Sequence, residues 1–78
     1  MPRYYIDLYD GAQYIKDANS FDAIDDEGAR AQAIRMLSGL ARSRGKNSQH
    51  VRCAATVRNM NRVVLFHSDL SLNFHWPE

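Results

Sequence analysis

The sequence is poor in the features that define several other protein classes. It holds a single cysteine, Cys53, which excludes an internal disulfide and agrees with a reducing compartment. No stretch approaches the ~20 apolar residues of a membrane span, and residues 1–10 lack the apolar core of a signal peptide. No internal repeat, linker or low-complexity segment divides the 78 residues. We therefore expect one cytoplasmic domain over residues 1–78, with no membrane partner.

Acidic residues are missing from one long segment. Residues 30–62 carry eight basic groups and no acid, whereas residues 1–27 carry seven acids and two basic groups. This uneven distribution predicts that the two segments neutralise each other in the folded protein. The alternative is a basic surface for an acidic partner, including nucleic acid.

One clear helical signal is present, over residues 25–44. Asp25 is placed to cap the helix, and Asp26 and Glu27 put negative charge in its first turn, where the helix dipole favours it. Two arginines fall in the last turn, and Gly45 is expected to end the helix in a left-handed conformation. An apolar stripe at helical spacing would face the core: Ala29, Ala33, Met36, Leu37, Leu40 and Ala41.

Strands are predicted on both sides of this helix. Residues 3–9 alternate with period two and precede the Asp10-Gly11 turn, after which residues 13–16 would form a short return strand. Residues 17–24 read as a polar connection whose Phe21 and Ile24 pack under the helix. A strand over residues 50–58 would face inward through Val51, Cys53, Ala55 and Val57, and residues 59–61 would turn through an asparagine with positive φ.

The last strand is unusually long. Apolar residues fall on nearly every even position from residue 64 to residue 76. Thirteen extended residues span roughly 43 Å, more than the ~30 Å diameter expected for a compact chain with a radius of gyration of about 11–12 Å. Two alternatives follow: the strand bends near Ser68-Asp69, or its C-terminal part reaches a second subunit. We also expect it to pair with the first strand.

The element order is therefore ββαββ. One helix would pack on one face of an antiparallel sheet, which is an α+β fold of the two-layer sandwich type. An uncovered sheet face remains on the other side.

The chain also resembles a family of small uncharacterised bacterial proteins. The resemblance rests on the opening Met-Pro-Arg-Tyr-Tyr, the Asp10-Gly11 turn, the Asp25 helix start with Gly28-Ala29-Arg30-Ala31, and the closing hairpin with Arg62-Val63-Val64-Leu65 and Leu70-Ser71-Leu72. The sequence departs from the family at Asn59-Met60-Asn61, where a longer loop containing Asp and Gly is expected. The resemblance implies the same architecture and no activity, cofactor or catalytic residue.

No catalytic signature is present, so we expect a protein that is not an enzyme and has no cofactor. His67 and Asp69 share a strand face, but His75 lies ~26 Å further along an extended strand, too far to complete a metal site. Cys53 is expected to be buried and inert. The acids at residues 25–27 fit a helix start better than a carboxylate pair for acid–base catalysis.

The uncovered sheet face is the better functional lead, because aromatics, arginines and aliphatics together are typical of an interface. The candidate interaction face comprises Tyr5, Tyr9, Arg52, Thr56, Arg58, Val63 and Leu65. The candidate dimer strand comprises Leu70, Leu72, Phe74 and Trp76. The preferred hypothesis is an interaction module that forms a homodimer. The alternative is a nucleic-acid-binding module in which Tyr5 and Tyr9 stack on bases while Arg52 and Arg58 contact phosphates.

Overall fold

The computed structural model describes residues 1–46, 49–75 and 77. Its elements follow the order β1 (Arg3–Tyr9), β2 (Tyr14–Asp22), α1 (Asp26–Gly45), β3 (His50–Arg58) and β4 (Val64–Asn73). The four strands form one antiparallel sheet, and α1 packs on one of its faces, mainly against β3 and β4. The predicted α+β arrangement with ββαββ order is confirmed.

The strand order in the sheet is β2-β1-β3-β4. The prediction that the last strand pairs with the first is therefore wrong, because β1 pairs with β3 and β4 lies at an edge. Burial explains the arrangement. Ile6 of β1 and Cys53 and Val57 of β3 are fully buried, so these two strands take the central positions where both neighbours cover them.

The start of α1 forms as the sequence predicts. Asp25 adopts an extended backbone conformation, and its carboxylate accepts a hydrogen bond from the Gly28 backbone N–H at 2.9 Å. This bond satisfies one of the four N–H groups that an α-helix leaves without a partner at its beginning.

Removal of this cap should destabilise the domain modestly. We expect Asp25→Ala to lower the free energy of unfolding by about 0.5–2 kcal/mol, because the Gly28 N–H loses its acceptor. Chemical denaturation measures the change. Glu27→Ala is the matched control, since Glu27 lies in the same turn and makes only a long ion pair with Arg30 at 3.9 Å. Equal losses in the two variants would contradict a specific capping role for Asp25.

The other end of α1 differs from the prediction. Gly45 belongs to the helix, and the cap residue is Lys46, which keeps right-handed helical angles with φ of −66°. Its backbone N–H donates to the Arg44 carbonyl oxygen, so no left-handed residue is needed there.

Strand β2 is longer than predicted. It runs over nine residues, including most of the segment that the sequence suggests is a polar connection. The reason is a bulge: between the pairs Ile6–Asn19 and Leu8–Ile15, one residue of β1 faces three of β2. Asp17 at this bulge has φ of 52°, and the irregularity breaks the alternation that a sequence pattern needs.

Phe21 and Ile24, which the sequence predicts to pack under the helix, differ in their burial. Phe21 stacks on Tyr4 with ring centroids 5.8 Å apart and packs against the core. Ile24 is 78% exposed, so its predicted contact with the first turn of the helix is wrong.

The hairpin between β3 and β4 uses asparagine in an unexpected way. The positive φ belongs to Arg62 and not to an asparagine of the loop. Asn59 acts through its side chain instead, whose carbonyl oxygen accepts hydrogen bonds from the backbone N–H groups of Asn61 and Val63.

Strand β4 has ten residues and no register shift near Ser68-Asp69, so the bulge predicted there is absent. Residues 66–73 pair with β3 in unbroken register, and the only irregularity lies near its start, where Leu65 is left between the Val57–Phe66 and Arg58–Val64 pairs. An unbroken strand of this length fits because the domain is elongated, with a radius of gyration of 13.8 Å instead of the predicted value of about 11–12 Å.

The core lies between α1 and the covered sheet face. The helix contributes mostly alanine to this core, and Leu37 is its largest buried side chain. Met36 and Leu40 are half-buried beside it. The buried apolar residues are Tyr4, Ile6, Ala23, Ala29, Ala33, Leu37, Ala41, Val51, Cys53, Ala55 and Val57.

Candidate interaction surfaces

The sheet face away from α1, here called the open face, carries a buried ion cluster at its centre. Asp7 and Arg58 point to this face from β1 and β3, and both are buried, with 4% and 8% of their surfaces exposed. An Arg58 Nη2 hydrogen donates to Asp7 Oδ1 at 2.9 Å, and the same nitrogen pairs with Asp17. The cluster therefore joins three adjacent strands.

The bulge in β2 builds the other half of this cluster. It turns the Asp17 backbone N–H toward Asp7 Oδ1, at 2.7 Å, while the Tyr14 hydroxyl donates to Asp7 Oδ2 at 3.0 Å. Asp7 thus accepts hydrogen bonds at both carboxylate oxygens, as a buried carboxylate requires.

The surroundings decide the ionisation of these groups. Burial alone would raise the pKa of the Asp7 carboxyl, but the bonds from Asp17 and Tyr14 and the charge of Arg58 lower that pKa below its ordinary value. The same bond to Asp7, with burial, raises the pKa of the Tyr14 hydroxyl. Asp7 therefore stays a carboxylate and Tyr14 a neutral phenol at neutral pH.

The ion pairs also account for the uneven charge of the sequence. Arg58 pairs with Asp7 and Asp17, and Arg44 pairs with Asp10, so basic groups of residues 30–62 neutralise acids of residues 1–27. The hypothesis of internal neutralisation is supported by these contacts. Arg58, one of the proposed phosphate ligands, already has Asp7 and Asp17 as its partners.

The remaining residues of the candidate interaction face fall in different places. Tyr5, Tyr9 and Thr56 are half-buried on the open face, and Arg52 is exposed there. Val63 precedes β4 and is exposed in the hairpin, whereas the half-buried Leu65 packs against the core. The alternation of the sequence predicts both on the open face within the last strand, and this prediction is wrong because the bulge at Leu65 shifts the alternation there.

The two edges of the sheet are unlike each other. The β2 edge is interrupted by its bulge and carries Lys16 and Asp17, devices that discourage a further strand from pairing. The β4 edge is regular over residues 66–73, and Asp69 is its only acidic or basic residue besides His67. Only β4 therefore presents a long, regular edge for strand addition.

An apolar groove accompanies the C-terminal half of β4. Leu70, Leu72 and Phe74 of the candidate dimer strand line it on one side, and Ala41 and Gly45 of α1 line it on the other, around a volume of about 460 Å³. Leu70 and Leu72 are half-buried, and Phe74 is 47% exposed. Trp76 lies outside the described residues.

The other side chains considered for chemistry are placed as follows. Cys53 is fully buried, and burial raises the pKa of its thiol. His67 forms a hydrogen bond with Thr56, with 2.9 Å between Nδ1 and Oγ1. Within residues 1–46, 49–75 and 77, no three histidine, cysteine, aspartate or glutamate side chains are grouped to hold a metal ion.

Comparison with protein families adds a classification. The model of the family described as domain of unknown function (DUF6894) matches residues 3–71. The chain belongs to this family. The match runs from the start of β1 into β4, so it includes the ion cluster and most of the β4 edge. No curated protein and no solved structure matches the chain.

The one helix in the described part of the chain, α1, has 20 residues and carries charged residues along its length. No described helix is long and apolar enough to cross a membrane.

Proposed function

We propose that this member of the DUF6894 family is a non-enzymatic interaction module that self-associates through the β4 edge. The observation that carries the proposal is the contrast between the two sheet edges. An edge strand exposes a row of backbone N–H and C=O groups, and those groups bind a further strand wherever nothing blocks it.

A second copy of the chain is a suitable partner for this edge. β4 is antiparallel to β3, and two β4 strands related by a two-fold axis would extend the sheet from four to eight strands. The groove beside Leu70 and Leu72 would gain apolar cover from the added strand. A domain of 78 residues has a small core, so this burial would add usefully to its stability.

The alternative, a nucleic-acid-binding module, is supported less well. Arg58 is held by two carboxylates, and Arg3 pairs with Asp22 at 3.3 Å. The charges of these two open-face arginines are therefore balanced within the protein. Arg52 is the remaining open-face arginine of the original hypothesis. A phosphate backbone needs several such cations together.

Amide hydrogen exchange combined with light scattering tests self-association. Light scattering should give a mass that rises toward twice the monomer value as concentration increases. Exchange at the backbone amides of residues 66–73 should slow over the same range, because half of them point away from β3 and gain partners only in the dimer.

Strand β2 supplies the matched control within the same molecule. It is the other edge of the sheet, and its amides should exchange at rates that do not depend on concentration. A monomeric mass at every concentration would overturn the proposal, as would protection that develops at β2 and not at β4.

A further inference from the structure

We infer that the two β4 strands pair about a two-fold axis at Ser68, which sets His67 of each copy opposite Asp69 of the other. This register rests on the proposed self-association through β4. It specifies which side chains meet, and it can fail while the assembly itself stands.

Symmetry limits the possible registers. Antiparallel pairing of two identical strands places the two-fold axis perpendicular to the sheet, so both helices lie on the same side. Residues that meet across the axis must then point to the same face, so the axis must pass midway between one residue and the same residue of the second copy. The regular pairing of residues 66–73 with β3 provides the candidate positions.

Charge distinguishes among these positions. An axis at Asp69 would set two carboxylates directly opposite each other, which is destabilising in a sheet. An axis at His67 would set two imidazoles opposite each other. An axis at Ser68 instead sets an imidazole opposite a carboxylate twice, on the open face.

The covered face favours the same position. An axis at Ser68 sets Phe66 of one copy opposite Leu70 of the other, twice, with Ser68 against Ser68 between them. An axis at Leu70 would oppose Ser68 to Leu72, which leaves a hydroxyl beside an apolar side chain. Within residues 66–73, only the Ser68 axis sets an imidazole opposite a carboxylate while it also matches apolar with apolar on the covered face.

The conformation of His67 fits this role. Its Nδ1 lies 2.9 Å from Thr56 Oγ1, and this contact orients the ring on the exposed face of the strand. The other ring nitrogen, Nε2, is then directed to donate to the Asp69 carboxylate of the second copy.

Disulfide trapping in a Cys53→Ala background tests the register. A mixture of the His67→Cys and Asp69→Cys variants should form a linked dimer under mild oxidation, whereas neither variant should link to itself, because opposite residues in a sheet lie close enough to bridge. Ser20→Cys on the β2 edge is the matched control and should not link to either variant. Light scattering of the unmodified chain is measured in parallel.

The outcomes separate the two proposals. Self-linking of the Asp69→Cys or His67→Cys variant alone would overturn the Ser68 axis and keep the β4 dimer. Absence of any link in a chain that light scattering finds dimeric would also overturn the Ser68 axis. A monomer at all concentrations would overturn both.

A charge exchange gives a second test. Asp69→Lys should weaken the dimer about tenfold, because two favourable cross-strand pairs become unfavourable. The double variant with His67→Asp and Asp69→Lys should restore it, since each aspartate would then face a lysine. Failure of the double variant to recover affinity would contradict the pairing.

Discussion

Asp7→Ala should lower the free energy of unfolding by about 3–5 kcal/mol, because it removes the buried carboxylate that balances the buried guanidinium of Arg58 and leaves only the partly exposed Asp17. Asp7 accepts three hydrogen bonds, from Arg58, Tyr14 and the Asp17 backbone. The Tyr14 hydroxyl and the Asp17 N–H would lose this acceptor, and Arg58 would keep only the Asp17 carboxylate. Chemical denaturation with a two-state fit measures the loss.

Two further variants distinguish the effect of a buried ion pair on stability from the effect of an exposed one. Asp22→Ala removes the exposed ion pair with Arg3 on the same face and should cost less than about 1 kcal/mol. The double variant Asp7→Leu with Arg58→Met should recover much of the loss, since it removes both buried charges together. A loss for Asp7→Ala as small as that for Asp22→Ala would show that the cluster is not buried in solution.

The same carboxylate gives stability a defined pH dependence. Its pKa is lowered in the folded protein, so the unfolded chain takes up the proton first as the pH falls. The stabilisation is complete above the unfolded value of about 3.9 and is lost as the pH falls through the lower folded value. The difference between the wild type and Asp7→Asn should therefore be constant near neutral pH and shrink below about pH 4.

Leu37→Ala should be nearly as damaging, with a loss of about 2–5 kcal/mol. Leu37 is 4% exposed and is the only large side chain among the four buried residues of α1, so its truncation leaves a cavity between the helix and the sheet. Thermal or chemical denaturation measures the change. Leu40→Ala is the matched control one turn away, and its half-buried side chain should cost clearly less. Equal losses would show that the buried stripe of α1 is centred nearer to Leu40.

The parts of the fold that depend on a regular period could be predicted. Strands β1 and β3 have the expected bounds, and α1 has the expected cap at its N-terminus and the expected stripe, because alternation and helical spacing are set by local geometry. Strand β2 could not be read in this way, since the bulge at Asp17 shifts the phase of the alternation within the strand.

The ion cluster shows a second limit of a sequence pattern. Alternation places Asp7 and Arg58 on the open face, and an outward face suggests exposure to water. Their burial depends on Tyr14 and Asp17, which reach them only through the irregular part of β2. Likewise, strand order depends on pairing between distant segments, so the position of β4 at an edge had no local signal.

The unequal edges of the sheet also bear on polymerisation. If both edges could accept a strand, each added copy would present a new site, and the protein would grow into fibres. Because the bulged, charged β2 strand closes one side, an assembly through β4 would leave only two β2 strands at its ends. Growth would therefore stop after a single addition, and a change that straightened β2 would put the chain at risk of aggregation.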